Sequence, residues 1–250
     1  MKKTMIFLCV ALVAFAVPAF ADINNGGFEN GTLSGWVTSG QTNVTSVGTD
    51  PRTNNNLSMV GVDTHSARVG DQNAWGFTGS EYSSLTQTFT VGSGFTDLYF
   101  AWAAVGLVPN NDYPHTTAQT PWFQISVYDN SANGGAGASL FLEAYYTGNI
   151  GSITPGWSVG VANNSSLGTD DAGIWYYRPW EQFHLALGSI EGHSITVTLT
   201  TRDCTPSGHA SYAYLDGFGS TPPPITSPEP TTMLLLGLGL VGLAGFRRRS

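Results

Sequence analysis

Disulfides have almost nothing to work with in this 250-residue chain, whose two cysteines stand at positions 9 and 204. Cys9 falls inside an N-terminal leader. Met1-Lys2-Lys3 is a basic start, residues 5–17 are an apolar run, and Ala19-Phe20-Ala21 has the small-x-small form of a cleavage site. That order reads as a secretory signal peptide over residues 1–21, with the mature chain starting at Asp22. The residues ahead of Cys9, Phe7 and Leu8, are too large for lipoprotein processing. Cys204 is then alone, so an intramolecular disulfide is excluded and the fold has to be held by core packing or a bound ion.

Positive charge is the second shortage. Between residues 22 and 227 there are sixteen carboxylates and four basic side chains, Arg52, Arg68, Arg178 and Arg202. Nucleic acid is therefore not expected as a partner, because its binding depends on neutralising phosphates, and polyanions in general are disfavoured. Only 10% of the chain is charged, which leaves Ser, Thr, Asn and Gly to build the surface.

Helical periodicity is the third. Apolar residues alternate instead: Leu98, Phe100, Trp102 and Ala104; Phe123, Ile125 and Val127; Phe183, Leu185 and Leu187; Ile195, Val197 and Leu199. Period two is the mark of half-buried strands. The Thr-rich stretch over residues 84–91 adds β-propensity, and Gly, Asn and Pro clusters near residues 53–56, 109–114, 133–137 and 163–173 punctuate the strands. The expectation is an all-β antiparallel β-sandwich over residues 22–220, one domain, followed by a stiff Pro-rich spacer at 221–227.

Catalytic spacing is missing as well. Gly156-Trp157-Ser158-Val159-Gly160 fits Gly-x-Ser-x-Gly, but a nucleophile elbow needs a helix after it, and Val-Ala-Asn-Asn-Ser-Ser is not one. The histidines at 65, 115, 184, 193 and 209 have no metalloprotease spacing. Asp203, Cys204 and His209 share a loop but supply too few ligands for a closed metal site. Carboxylates from separate strands could still meet in space, so a secreted polysaccharide-active hydrolase stays as the alternative to a non-catalytic protein.

Aromatic residues are what the chain has in quantity. Its seven tryptophans are Trp36, Trp75, Trp102, Trp122, Trp157, Trp175 and Trp180, and Trp175-Tyr176-Tyr177-Arg178-Pro179-Trp180 is the densest run. Sugar C–H faces stack on flat rings while Asn, Asp and Arg bond the hydroxyls. Trp36 and Trp102 read as core. Trp75, Trp157, Trp175, Tyr176 and Trp180, near loops, are the candidates for ligand contact, and extracellular polysaccharide is the candidate ligand.

Pro228-Glu229-Pro230, the Gly/Leu-rich segment at 233–246 and Arg247-Arg248-Arg249 resemble the PEP-CTERM sorting tail of exported bacterial proteins, here residues 228–250. The resemblance implies recognition of Pro228, Glu229 and Pro230 by an exosortase-type processing enzyme. Fourteen residues span about 21 Å as a helix at about 1.5 Å per residue. That is short of the roughly 30 Å hydrocarbon core, so a hydrophobic sorting helix, anchored only transiently in the inner membrane with its arginines on the cytoplasmic side, fits better than a permanent span. A simple single-span C-terminal anchor is the alternative. The final place is expected to be the cell surface or the extracellular matrix.

Asn25-Gly26-Gly27-Phe28-Glu29, with Gly35-Trp36 after it, and the closing Ser211-Tyr212-Ala213-Tyr214-Leu215-Asp216-Gly217-Phe218 resemble the first and last strands of jelly-roll carbohydrate-binding modules with a galactose-binding-like fold. That resemblance implies a structural calcium at Glu29 and Asp216, clipping the two ends together. Calcium wants six to eight hard oxygen ligands.

Overall fold

The computed structural model describes residues 23–72, 82–109, 116–149, 155–163, 173–205 and 209–224. Among them the longest helical segment is the four-residue turn Ala132–Gly135. The strands form two sheets. One has five strands in the order β1 (Val37–Ser39), β4 (Tyr82–Thr90), β10 (Ser194–Arg202), β6 (Trp122–Asp129) and β7 (Ala138–Tyr146). The other has six, in the order β2 (Thr42–Ser46), β3 (His65–Gly70), β11 (Ser211–Gly219), β5 (Asp97–Pro109), β9 (Gly173–Ala186) and β8 (Ser158–Asn163). Every pairing is antiparallel. The molecule is an all-β antiparallel sandwich of the jelly-roll kind.

Alternation decides which side chains meet between the sheets. Leu85 and Phe89, Ile195, Val197 and Leu199, and Phe123, Ile125 and Val127 face inward from the five-stranded sheet. Ala67, Val69, Leu98, Phe100, Trp102, Ala213 and Leu215 answer from the other. At about 1.5–3 kcal/mol for each large apolar side chain fully buried, this layer supplies what a disulfide does not. One open edge is braced by charge: Arg178 on β9 bonds Glu181 at 2.8 Å, lies over the rings of Trp102 and Tyr145, and so reaches β7, where the Tyr145 hydroxyl donates to Glu143.

The opening and closing segments meet at one end of the sandwich. Phe218 N–H donates to the Gly26 carbonyl at 3.1 Å, and a Cβ on Gly26 would lie 2.3 Å from the Phe218 carbonyl oxygen, so only glycine fits there. Trp36 packs edge-on against Phe218, which stacks on Phe100. Within the expected spacer at 221–227, Pro223 packs against the domain: it is buried, its carbonyl accepts from the Gln182 amide, and it lies close enough to Gly217 to leave no room for a side chain.

The six-stranded sheet is buried on both faces over part of its area, while Gln182, His184 and Ala186 on β9 and Asn43 on β2 stay exposed. On its outer side Ala103, Val105, Leu107, Trp175, Tyr177, Tyr212 and Tyr214 form a second apolar layer with Leu57 and Met59. The cover is the connection from β2 to β3, residues 47–64. Asp50, fully buried, fastens it: Oδ2 accepts from the phenols of Tyr212 and Tyr214 at 2.7 and 2.8 Å, and Oδ1 from Arg52 N–H.

Candidate functional site

The outer face of the five-stranded sheet is the open one. Its strand positions carry Ser84, Thr86 and Thr88 on β4, Thr196, Thr198 and Thr200 on β10, and Gln124 and Ser126 on β6. Paired hydroxyls bond across the strands, Thr86 to Thr198 at 3.2 Å and Thr88 to Thr196 at 2.8 Å. No carboxylate occupies a strand position on this face.

At one end of it the register lines up four larger side chains. Tyr82 is opposite Arg202, Arg202 opposite Trp122, and Trp122 opposite Tyr146, a row of about 14 Å at about 4.8 Å per strand. Ring centroids are 6.2 Å apart from Tyr82 to Trp122 and again from Trp122 to Tyr146. The Arg202 guanidinium lies over both Tyr82 and Trp122, at 5.9 and 5.5 Å, and is pinned by the carbonyls of Ala118 and Thr120. Tyr82 is 53% exposed, and Arg202, Trp122 and Tyr146 are half-buried. Such a strip offers ring faces, hydroxyls and one fixed cation, the components for holding a polyol with apolar C–H faces.

The ligand contacts expected from the sequence lie elsewhere. Trp157 and Tyr176 are buried in the inter-sheet core, and Trp175 in the second layer at 1% exposure. A ring enclosed on both faces has no face left for a sugar, so these three are corrected to packing residues. Trp180 is half-buried under the 47–64 cover; its Nε1 donates to the Ser58 carbonyl at 2.8 Å, and its ring sits against Gly61. Trp75, Pro228, Glu229 and Pro230 lie outside the described residues. Trp36 and Trp102 are core, as read from the sequence.

Glu29 and Asp216 both reach the 61–65 stretch, and both meet hydrogen-bond donors there. Asp216, with no exposed surface, accepts from the N–H groups of Gly61, Val62 and Gly217. Glu29 accepts from Thr64 N–H, the Thr64 hydroxyl and His65 N–H. Calcium needs oxygens whose lone pairs converge on it, whereas N–H groups converge here. Among the described residues no three His, Cys, Asp or Glu side chains gather as a metal set. The pair does not fit the calcium expectation; it clips the cover loop to both ends of the domain directly. Burial pushes Asp216 up to about 8, against the pull of its three N–H donors and with a smaller push from Glu29. At Glu29 slight burial acts upward, but the Thr64 hydroxyl and the two N–H groups hold the carboxyl below its usual value.

The loop cluster of Asp203, Cys204 and His209 is buried. Cys204 Sγ is buried 3.4 Å from His209 Nδ1, and Asp203 accepts from Ser211 N–H. Ser158 of the Gly-x-Ser-x-Gly match starts strand β8 rather than a helix. Glu143 and Glu181 come from separate strands to one place, but each is bonded to a protein side chain, which makes them part of the brace.

A family model described as PEP-CTERM protein-sorting motif matches residues 228–249. The tail is a PEP-CTERM sorting motif. It marks an exported protein held by its C-terminal segment, and Pro228, Glu229 and Pro230 open it. Among the described residues no helix is long and apolar enough to cross a membrane; residues 233–246 of the motif lie outside them. Comparison with curated proteins found no match. Solved structures similar to the chain include TmCBM61 in complex with beta-1,4-galactotriose, at 13% identity and a TM-score of 0.39, covering 80% of this chain and 96% of that one. Another is the module CBM27-1 of Caldicellulosiruptor saccharolyticus in complex with mannohexaose, at 12% identity and a TM-score of 0.38, covering 77% and 93%. A third is the enzymatically active domain of bacteriophage CBA120 tailspike protein 4, at 12% identity and a TM-score of 0.34; the match covers 80% of this chain and 21% of that one.

Proposed function

We propose that this exported protein is a non-catalytic glycan-binding component of the cell surface or extracellular matrix, and that it holds neutral polysaccharide on the row Tyr82, Arg202, Trp122 and Tyr146. The observation that carries the reading is the open aromatic row set in a hydroxyl-rich, carboxylate-free face of a domain that is otherwise strongly acidic. Neutral sugars suit that face: rings take the C–H surfaces, and the Thr, Ser and Gln side chains beside them exchange hydrogen bonds with hydroxyls. The sorting tail supports export and display in this reading, with an exosortase-type enzyme as the processing partner and the inner membrane as a temporary anchor.

Affinity electrophoresis against a panel of soluble neutral polysaccharides tests the reading. At least one polysaccharide is expected to retard the protein, with Trp122→Ala weakening retention about tenfold, equivalent to about 1.4 kcal/mol. Retention that is unchanged in Trp122→Ala and Tyr82→Ala would remove the row from the account.

A further inference from the structure

The outer side of β3 carries a guanidinium whose Nε, like those of Arg178 and Arg202, has no acceptor among the described residues. This is Arg68, half-buried over the ring of Tyr212, 6.0 Å from its centroid, with that Nε buried. Arg52 lies on the same aromatic layer, 5.2 Å over Trp175, and its Nη2 donates to the Gln72 carbonyl at 3.2 Å. Trp175 and Tyr212 are in contact, with centroids 5.9 Å apart, so the two cations flank one aromatic pair. Neither arginine takes part in an ion pair among the described residues, whereas Arg178 bonds Glu181. Two amides stand at the rim: Gln72, which reaches the Tyr214 hydroxyl at 3.5 Å, and exposed Asn43, opposite Arg68 in the β2–β3 register.

Among the described residues, what the place lacks is free carboxylate acceptors. Asp50 is the nearby carboxylate, and its oxygens are already occupied by two phenols and the Arg52 N–H. Asp71, three residues beyond Arg68, has a partner of its own. A buried N–H without an acceptor is destabilising, and an oxyanion brought by a ligand would satisfy it with charge-assisted, fork-shaped bonds that guanidinium favours. We propose that Arg68 and Arg52 form a second ligand site, on the six-stranded sheet, for a sugar bearing one oxyanion, either a uronate carboxylate or a sulfate ester. The carboxylate excess of the domain limits this site to sparsely charged glycans. Distant charges are screened beyond about 8 Å at physiological salt, but a dense polyanion would meet the acidic surface all along its length. The site stands on residues separate from the row on the opposite sheet.

The purified protein is titrated with a neutral disaccharide, the same disaccharide carrying one uronate, and the same carrying one sulfate ester, at low and at physiological salt. At least one charged sugar is expected to bind about tenfold or more tighter than the neutral parent, with a gain that shrinks as salt rises. The charged sugar that wins names the source of the oxyanion. Arg68→Gln is expected to remove the gain and Arg68→Lys to keep part of it; Arg52→Gln, farther out on the cover loop, repeats the test should Arg68→Gln fold poorly. Equal affinity for charged and neutral sugars overturns the site, as does a gain that survives both glutamine variants. Neutral glycan at saturation is expected to leave the charged sugar's affinity unchanged, and competition between the two would contradict separate sites. If no neutral glycan binds while the charged gain stands, the row is lost and this site is kept.

Discussion

The two sheets bury similar inner faces and differ on their outer ones. The five-stranded sheet turns out Thr, Ser and Gln and ends in the open row of Tyr82, Trp122 and Tyr146 around Arg202. The six-stranded sheet turns out Trp175, Tyr177, Tyr212 and Tyr214, more ring surface than its counterpart, and closes it under residues 47–64. Density of aromatic residues therefore does not tell which rings are open in this fold. Coverage does, and coverage is fastened by three buried or bonded carboxylates, Asp50, Asp216 and Glu29, that hold one loop.

Truncating a ring on each face should break the comparison open most widely. Trp175→Ala removes a fully enclosed side chain, and a loss of about 3–5 kcal/mol is expected in denaturant unfolding. A loss under about 1 kcal/mol would mean the cover is not packed as described.

Next in size is a pH effect that tests the fastening of the cover. Asp216 ionises near 3.8 when unfolded and near 8 in the fold. The folded state thus keeps a proton that the unfolded chain releases over that interval. Its contribution is full below about 3.8 and is lost as pH rises through about 8, a change on the order of a few kcal/mol. Glu29, held low, acts in the opposite sense but only in acid, below about 4.5. Unfolding free energy should fall between these limits, and Asp216→Asn should flatten the slope whatever it does to overall stability. A slope that Asp216→Asn leaves intact would assign the pH dependence to other groups.

On the open face the expected effect is smaller in energy and specific to binding. Trp122→Ala should lose about tenfold in glycan affinity while unfolding changes by about 1 kcal/mol or less, the scale of a partly exposed position. Two further measurements are expected to read zero. Chelator should leave the melting midpoint where it is, because the clip uses N–H donors; a midpoint that calcium raises would restore the metal. Incubation with a bound polysaccharide should release no new reducing ends, and turnover would revive the hydrolase alternative around Glu143 and Glu181.

Much of the fold was legible because it rests on side-chain alternation. Phe123, Ile125 and Val127, or Ile195, Val197 and Leu199, announce an inward face by period alone. The meeting of the two ends was legible through the Asn-Gly-Gly-Phe-Glu opening and the closing Asp216, which resemble known first and last strands. Their bonding partners were not, since backbone N–H groups at Gly61, Val62 and His65 leave no trace in residue type. The enclosure of Trp175 was not legible for a related reason: nothing local to it reveals that a loop more than a hundred residues earlier lies over it. Trp122 was within reach. If Phe123, Ile125 and Val127 face in, then Trp122 faces out, and a tryptophan on the polar side of a Thr- and Ser-rich sheet is the signal that local density obscured.

The most direct measurement follows the tryptophan indole N–H resonances while neutral glycan is added. The Trp122 signal should shift with ligand, and those of Trp175 and Trp180 should stay in place beneath their cover. Shifts at Trp175 and Trp180 with Trp122 unmoved would place the ligand on the other sheet and contradict the account.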